Sequence, residues 1–494
     1  MKKKKKIKRK KSGNLMKSDF FMLGFGSMVG VGWAVSSNHW LAQAGGPWMA
    51  FIGFILGTIL LIPIGLTYGE LMSTIPVSGG VMSYTYAAFG SFSSFLSSWF
   101  VVLAYLTILP WEAIFINRIL TKIFPVLASG KVLYIFLGSP IYLNSVIIGI
   151  IFASLLFLIN IKGSKLAAKL QTILSWSIIG IGLLVIILSF IKGDFSNLKP
   201  IYKNIGVGNH QNMFTGIMTM IVLVPFFMSG FDTIPQSVGD AHKNLNFKDI
   251  GKSLILAIIA AGSFYSLIIL STSSLGPWEE YALLDPPAMG EVLKNVYPGI
   301  FGELINLLVL IGTLAGLFTT WNGMFLASSR LIQSMGKSGL IPNIFGKEIK
   351  KYKTPLYASI LCFIVAAIGP FLGLNFIDPL TNLGSVAFVI GWFLTCLSAL
   401  KLRKTANHLE RAFKIPGGKF TIILGTIISA LILILTFIPG QAAFMGITGI
   451  VLFFIWLIIG LIFYYFTNGG DKGISEEERS MKILGTKSND FSNV

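Results

Sequence analysis

Few side chains in this chain are of a type and spacing that could do acid–base, nucleophilic or metal chemistry. The four histidines, His39, His210, His242 and His408, are scattered, and Cys362 and Cys396 stand alone in apolar stretches. Neither set has the spacing of a metal site or a disulfide framework. The chemistry the sequence does allow belongs to the main chain. Between Phe20 and Gln43 an apolar stretch long enough to cross a bilayer carries Gly24, Gly26, Gly30 and Gly32. A glycine inside a helix costs about 1 kcal/mol relative to alanine, so four of them predict a segment that unwinds. Lipid cannot satisfy the peptide groups freed by a break, so the break must face protein, water or a ligand.

A second interruption follows about two hundred residues later. In Val224-Pro225-Phe226-Phe227-Met228-Ser229-Gly230-Phe231-Asp232-Thr233-Ile234-Pro235, two prolines bracket Ser229-Gly230-Phe231, and each removes an intrahelical donor. Unwinding at Met28, Val29, Gly30, Val31 and Gly32 bares the amides that start a half-helix, where the dipole favours an anion. Unwinding at Phe226, Phe227 and Ser229 bares carbonyls that can hold an ammonium group. Free amides on one side and free carbonyls on the other suit the two ends of an α-amino acid. Gly26-x-x-x-Gly30 also matches a close-packed helix crossing; the second break, in the corresponding place, favours the unwound reading.

The elements that must position these breaks are membrane spans. Of 494 residues, 54% are hydrophobic and 12% charged, and mean hydropathy is +0.77. That excludes a soluble globular chain, where about a quarter of residues are charged. The spacing predicts an all-α integral membrane protein with about twelve transmembrane helices, near 19–43, 48–73, 91–124, 141–161, 166–191, 213–238, 251–275, 298–334, 355–373, 378–401, 420–438 and 442–467. The third and eighth are longer than a perpendicular crossing needs. With the amino terminus inside, the inside loops and tails collect all Lys and Arg but seven: Arg118, Lys122, Lys131, Lys192, Lys199, Lys203 and Lys294. That asymmetry predicts an even span count with both termini cytoplasmic. No cleavable signal precedes the spans; residues 1–18 read as a basic tail and 468–494 as a polar, disordered one. The acidic, proline-containing loop from Gly276 to Gly299 is expected to be an ordered outer segment. Broken helices in the first and sixth positions are the pattern of an inverted-repeat transporter, with repeats over 19–191 and 213–403 and two further spans over 420–467.

Four stretches, in order and at the right spans, resemble the amino acid–polyamine–organocation permeases. They are Gly26-Ser27-Met28-Val29-Gly30-Val31-Gly32; Tyr68-Gly69-Glu70-Leu71 with Pro76-Val77-Ser78-Gly79-Gly80; Gly230-Phe231-Asp232-Thr233; and Ser329-Arg330 with Gly339-Leu340-Ile341-Pro342. The resemblance covers about Asp19 to Phe466. It implies a LeuT-type fold of 5+5 inverted repeats and transport by alternating access. It implies that the Val29–Gly32 backbone binds a substrate carboxylate and that sixth-helix carbonyls, around Gly230 and Phe231, bind the amine. Phe226 stands where family members often place an aromatic gate, and Trp321 and Asn322 match pocket positions by approximate place. Three departures stand out. Gly239-Asp240 replaces a common acidic pair. Trp33 follows the first-helix motif where a smaller residue is usual. Lys165 and Lys169 lie at the cytoplasmic start of the fifth span, whose interior holds Ser175, Trp176 and Ser177, so a lysine-based proton mechanism does not carry over.

Among single residues, Asp232 reads either as a proton-accepting group or as a helix cap. Glu70 reads as an ion pair with inside loops or as a gate charge. Glu112 is expected to pair with Arg118 or face an aqueous vestibule. Thr319-Thr320 and Ser328-Ser329 could offer hydroxyls to sodium, or bond their own helix. His39 reads as an interfacial or packing residue.

The function expected from these readings is a secondary active transporter of amino acids or related small amines across the plasma membrane, coupled to protons. The alternatives are an amino acid or amine exchanger, a sodium-coupled symporter and, outside transport, a membrane substrate sensor. The soluble loops are too short for a catalytic domain and no nucleotide-binding motif appears, so no enzyme activity, cofactor or nucleic-acid partner is expected. A channel would want a repeated pore loop, and the paired breaks argue against it. The absence of charge near the breaks, Asp232 apart, favours a neutral substrate.

Overall fold

A computed structural model describes residues 15–128, 130–207, 210–349, 351–352, 354–440, 444–468 and 474–486. Most of the amino-terminal tail, and residues 469–473 and 487–494 of the carboxy-terminal one, lie outside these residues. In chain order the helices are α1 (Lys17–Met28), α2 (Gly32–Val35), α3 (Ser37–Ala44), α4 (Pro47–Thr74), α5 (Val81–Phe89), α6 (Ser91–Ile123), α7 (Leu143–Ile161), α8 (Ser164–Lys192), α9 (Met213–Phe227), α10 (Thr233–Gln236), α11 (Phe247–Ser273), α12 (Trp278–Leu283), α13 (Met289–Val296), α14 (Ile300–Lys337), α15 (Leu356–Ile368), α16 (Ile377–Thr405), α17 (Lys419–Phe437), α18 (Gly446–Asn468) and α19 (Glu476–Leu484). Among the described residues ten helices are long and apolar enough to cross a membrane. Two shorter apolar helices, Met213–Phe227 and Leu356–Phe371, accompany them. The chain is thus an all-α, multi-pass membrane protein.

Local chemistry sets the helix ends near the breaks. The first apolar stretch is divided into α1, α2 and α3. α1 stops where Val29 leaves helical geometry at φ −88°, ψ 83°, and α3 ends on Gly45 in the left-handed conformation. α9 begins with a reciprocal cap: Thr215 N–H donates to Asn212 Oδ1 and Asn212 N–H donates to Thr215 Oγ1, each at 3.0 Å. It stops at Phe227, two residues after Pro225, and the chain resumes as α10 at Thr233. Gly230 between them sits at φ +116°, a conformation few residues other than glycine adopt.

Packing places these pieces in the middle of the molecule. α1 lies against α8, α11 and α14, while α6 packs on α14 and α16. The apolar window of α6 is 100% buried and that of α18 only 17%, so α6 is a central pillar and α18 a lipid-facing outer helix. α6 and α14, at 33 and 38 residues, are the two long spans. At 1.5 Å per residue α14 reaches about 57 Å, well past the hydrocarbon core.

Two features differ from expectation. The segment between α6 and α7 forms a hairpin, β1 (Val132–Phe136) with β2 (Ser139–Tyr142). Its turn places Leu137 and Gly138 at positive φ, and Leu-Gly is a weak turn signal in sequence. The second concerns the carboxy-terminal tail. Its described part holds α19, whose Ser475 side chain accepts from Glu478 N–H. Ile483 and Leu484 are buried, and this tertiary contact orders what composition alone reads as a free tail. The Gly276–Gly299 loop is ordered as expected, in α12 and α13.

Candidate functional site

The two breaks meet. A Cβ placed on Gly230 would lie 2.6 Å from the Ser27 carbonyl oxygen, and Thr233 Oγ1 donates to Ser27 Oγ at 3.4 Å. Behind the first break stands α14: a Cβ on Gly316 would lie 2.7 Å from the Gly30 carbonyl. Tyr265 of α11 donates its hydroxyl hydrogen to the Met28 carbonyl at 2.9 Å. The breaks are therefore held by backbone proximity that only small residues permit.

Freed peptide groups line the junction. The amides of Val31, Gly32 and Trp33 donate to no backbone carbonyl, as the start of a half-helix requires. On the other break, the carbonyls of Phe227, Met228 and Ser229 accept no backbone amide. The Phe226 carbonyl is taken by the Ser229 hydroxyl at 2.6 Å. Between the breaks lies a cavity of about 20 Å³, room for one water molecule, so the junction is closed around a small space.

Its walls hold Met28, Gly30, Val31, Gly32, Phe226, Phe227, Ser229 and Thr320, all anticipated from sequence. Ser27, Ile108, Trp111, Glu112 and Tyr265 line it as well. These were not among the expected binding residues. Glu112 did leave a signal, a carboxylate inside a long apolar stretch. Its anticipated partner, Arg118, instead pairs with Asp285 and donates to the Pro286 carbonyl. Tyr265 leaves none, because one tyrosine in a span has no periodicity that aims it at a distant break.

The remaining expected residues are buried but do not line the cavity. Asp232 accepts from Tyr105 Oη at 2.7 Å and from Gly230 N–H at 3.2 Å, which ties the second break to α6. Phe231 packs against Trp392, ring centroids 5.3 Å apart. Val29 and Trp321 are core residues. Asn322 donates to Gln171 Oε1 at 3.0 Å and accepts from Asn160 Nδ2 at 3.1 Å, a buried amide network linking α14 to α7 and α8. Thr319 donates to its own helix at Gly316, as Ser328 and Ser329 do at Met324 and Leu326. Trp33 packs edge-on against Phe264. Glu70 is the hub of a charged cluster at the end of α4. It accepts from Arg403 Nε at 2.8 Å and Nη2 at 2.6 Å, and from Ile415 N–H at 3.1 Å, with Arg411 Nε 3.3 Å away.

Among the described residues no group of His, Cys, Asp or Glu is placed to hold a metal. Two broken helices facing each other across a small cavity suit a carrier, and the match to a family model settles which kind. Residues 18–464 match the family described as amino acid permease. The chain belongs to the amino acid permease family. It is 28% identical to the branched-chain amino acid permease BcaP of Bacillus subtilis over 459 residues, 90% of this chain and 91% of that protein. It is 27% identical to the glutamate/serine transporter AimA of the same organism, covering 92% and 81%. A third relative, also of Bacillus subtilis, is an aspartate–proton symporter, 27% identical and covering 82% and 77%. As a member of this transporter family, the permease has in its paired breaks the one small cavity described above that joins both interrupted helices.

Proposed function

We propose that this permease is a secondary active transporter that carries an amino acid or related small amine across the plasma membrane by alternating access. Two inverted repeats of five spans, 19–191 and 213–403, are each interrupted in their first helix; the spans of 420–467 are appended and both termini are cytoplasmic. The reading is carried by one observation: unbonded amides of the first break and unbonded carbonyls of the second face a shared cavity. The amides of Val31 and Gly32 take the substrate carboxylate, where the half-helix dipole favours negative charge. The carbonyls of Phe227 and Ser229 take the ammonium group. Phe226 and Phe227, with Tyr265, close over the bound substrate.

Coupling is to protons. An aspartate–proton symporter among the relatives supports this reading. Asp232 and Glu70 act as fixed points, one pinning the second break to α6 and the other locking the inner end of α4.

Thermal-shift titration of the purified protein tests the site, because a ligand stabilises by RT ln(1 + [L]/Kd). Gly30→Leu should abolish the shift while leaving the protein folded, since its side chain would run into Thr320. A retained shift overturns the proposed site. In vesicles, an imposed proton gradient should drive accumulation with sodium absent; accumulation that requires sodium overturns the coupling.

A further inference from the structure

The cavity has a third chemical feature besides amides and carbonyls. Two polar side chains that line it have an atom with no hydrogen-bond partner among the described residues. Glu112 of α6 is 2% exposed and its Oε2 has no hydrogen-bond partner among the described residues. Thr320 of α14 is buried and its Oγ1 is likewise unpartnered. Both line the same space, Glu112 from α6 and Thr320 from α14 beside Gly30 of the first break. Nothing cationic lines it. Buried polar atoms are nearly always paired, and leaving one unpaired costs about 1–3 kcal/mol. The anticipated counter-ion, Arg118, is engaged at the outer surface with Asp285, so the protein itself supplies no partner.

We propose that Glu112 and Thr320 select the substrate side chain: the cavity takes small amino acids whose side chain donates a hydrogen bond, a hydroxyl or an amine, over branched aliphatic and acidic ones. The inference rests on the reading of the cavity as the amino acid site. The backbone groups of the breaks hold the two ends common to all α-amino acids, which leaves the side chain facing α6 and α14. A donor there satisfies Glu112 Oε2. An aliphatic side chain leaves Glu112 and Thr320 unpaired, and a site built for a hydrogen bond rejects a ligand lacking one. An ionised side-chain carboxylate has no hydrogen to donate, so it leaves Glu112 Oε2 unpaired as an aliphatic one does. The rings of Trp111 and Phe226, which line the same space, limit the length of the side chain.

The test is a thermal-shift titration of the full-length protein with L-serine, L-2,3-diaminopropionate, L-leucine and L-aspartate. The wild type should be half-saturated by serine and diaminopropionate at concentrations at least tenfold below those for leucine and aspartate. Glu112→Leu should cut the serine-over-leucine preference at least tenfold. Glu112→Gln, which keeps size and hydrogen bonding, should cut the diaminopropionate-over-aspartate preference by a similar factor and covers the case in which Glu112→Leu does not fold. Unchanged preferences in the folded variant overturn the proposal. A wild type that responds best to leucine or aspartate overturns it while leaving the amino acid site standing. A wild type stabilised by none of the four, with Gly30→Leu indistinguishable from it, removes both.

Discussion

Tyr105 in the buried pillar α6 donates its hydroxyl hydrogen to Asp232 Oδ2 at 2.7 Å, while Asp232 Oδ1 accepts the Gly230 amide two residues before it in the chain. One carboxylate thus spans a helix break and the helix that backs it. Its two bonds join the break to α6.

Tyr105→Phe removes one of the two bonds that hold Asp232. The expected loss is about 1–3 kcal/mol, the penalty for a buried polar group losing its partner, read as a lowered thermal midpoint in detergent. Ligand affinity should fall with it, because Gly230 is no longer held against Ser27.

The Glu70 cluster makes a larger demand. Glu70 is almost fully buried and takes both forks of Arg403. Arg403→Ala leaves that carboxylate only Arg411 and the Ile415 amide, so the loss should approach, without exceeding, the roughly 3–5 kcal/mol of a fully broken buried pair. Arg403→Lys should recover only part of it, since an ammonium cannot reproduce the planar two-point contact. Thermal unfolding of the three proteins side by side checks both the size and the order.

Gly230 sits at φ +116° with the Ser27 carbonyl 2.6 Å from a would-be Cβ. Gly230→Ala therefore meets strain of about 1–2 kcal/mol from the backbone alone, before the clash. The break should open away from α1 and the ligand-induced thermal shift should vanish. Gly180, which has no atom near a would-be Cβ, provides the control: Gly180→Ala should leave both readouts unchanged.

The carboxy-terminal helix should respond to pH. Burial pulls the Glu476 carboxyl upward, but hydrogen bonds from Ser91 and Tyr86 and the charge of Arg479 outweigh it, leaving it below the ordinary carboxylate range. A group whose folded value is depressed stabilises above its unfolded pKa, about 4.3, and loses that contribution as pH falls through the folded value. Docking of α19 on α5 and α6 should thus hold at pH 7 and weaken below about pH 4. Hydrogen exchange across 476–484 should show faster exchange at the lower pH than intrinsic rates explain. Glu476→Gln should exchange fast at both.

Sequence by itself determined the membrane class, the apolar spans, and the two places where winding fails. These are local facts: glycine and proline act on their own turn of helix, and hydrophobic length sets what a bilayer accepts. Seven of the twelve expected binding residues line the cavity for the same reason, since the breaks themselves form its near wall. The far wall was decided by tertiary structure. Whether Glu112 meets Arg118 or the cavity, whether Thr319 or Thr320 keeps a free hydroxyl, and whether the tail docks depend on which helices pack side by side. No periodicity along one span encodes the rotation of another, so Tyr265 and Trp111 reach the breaks only once α11 and α6 are packed around them.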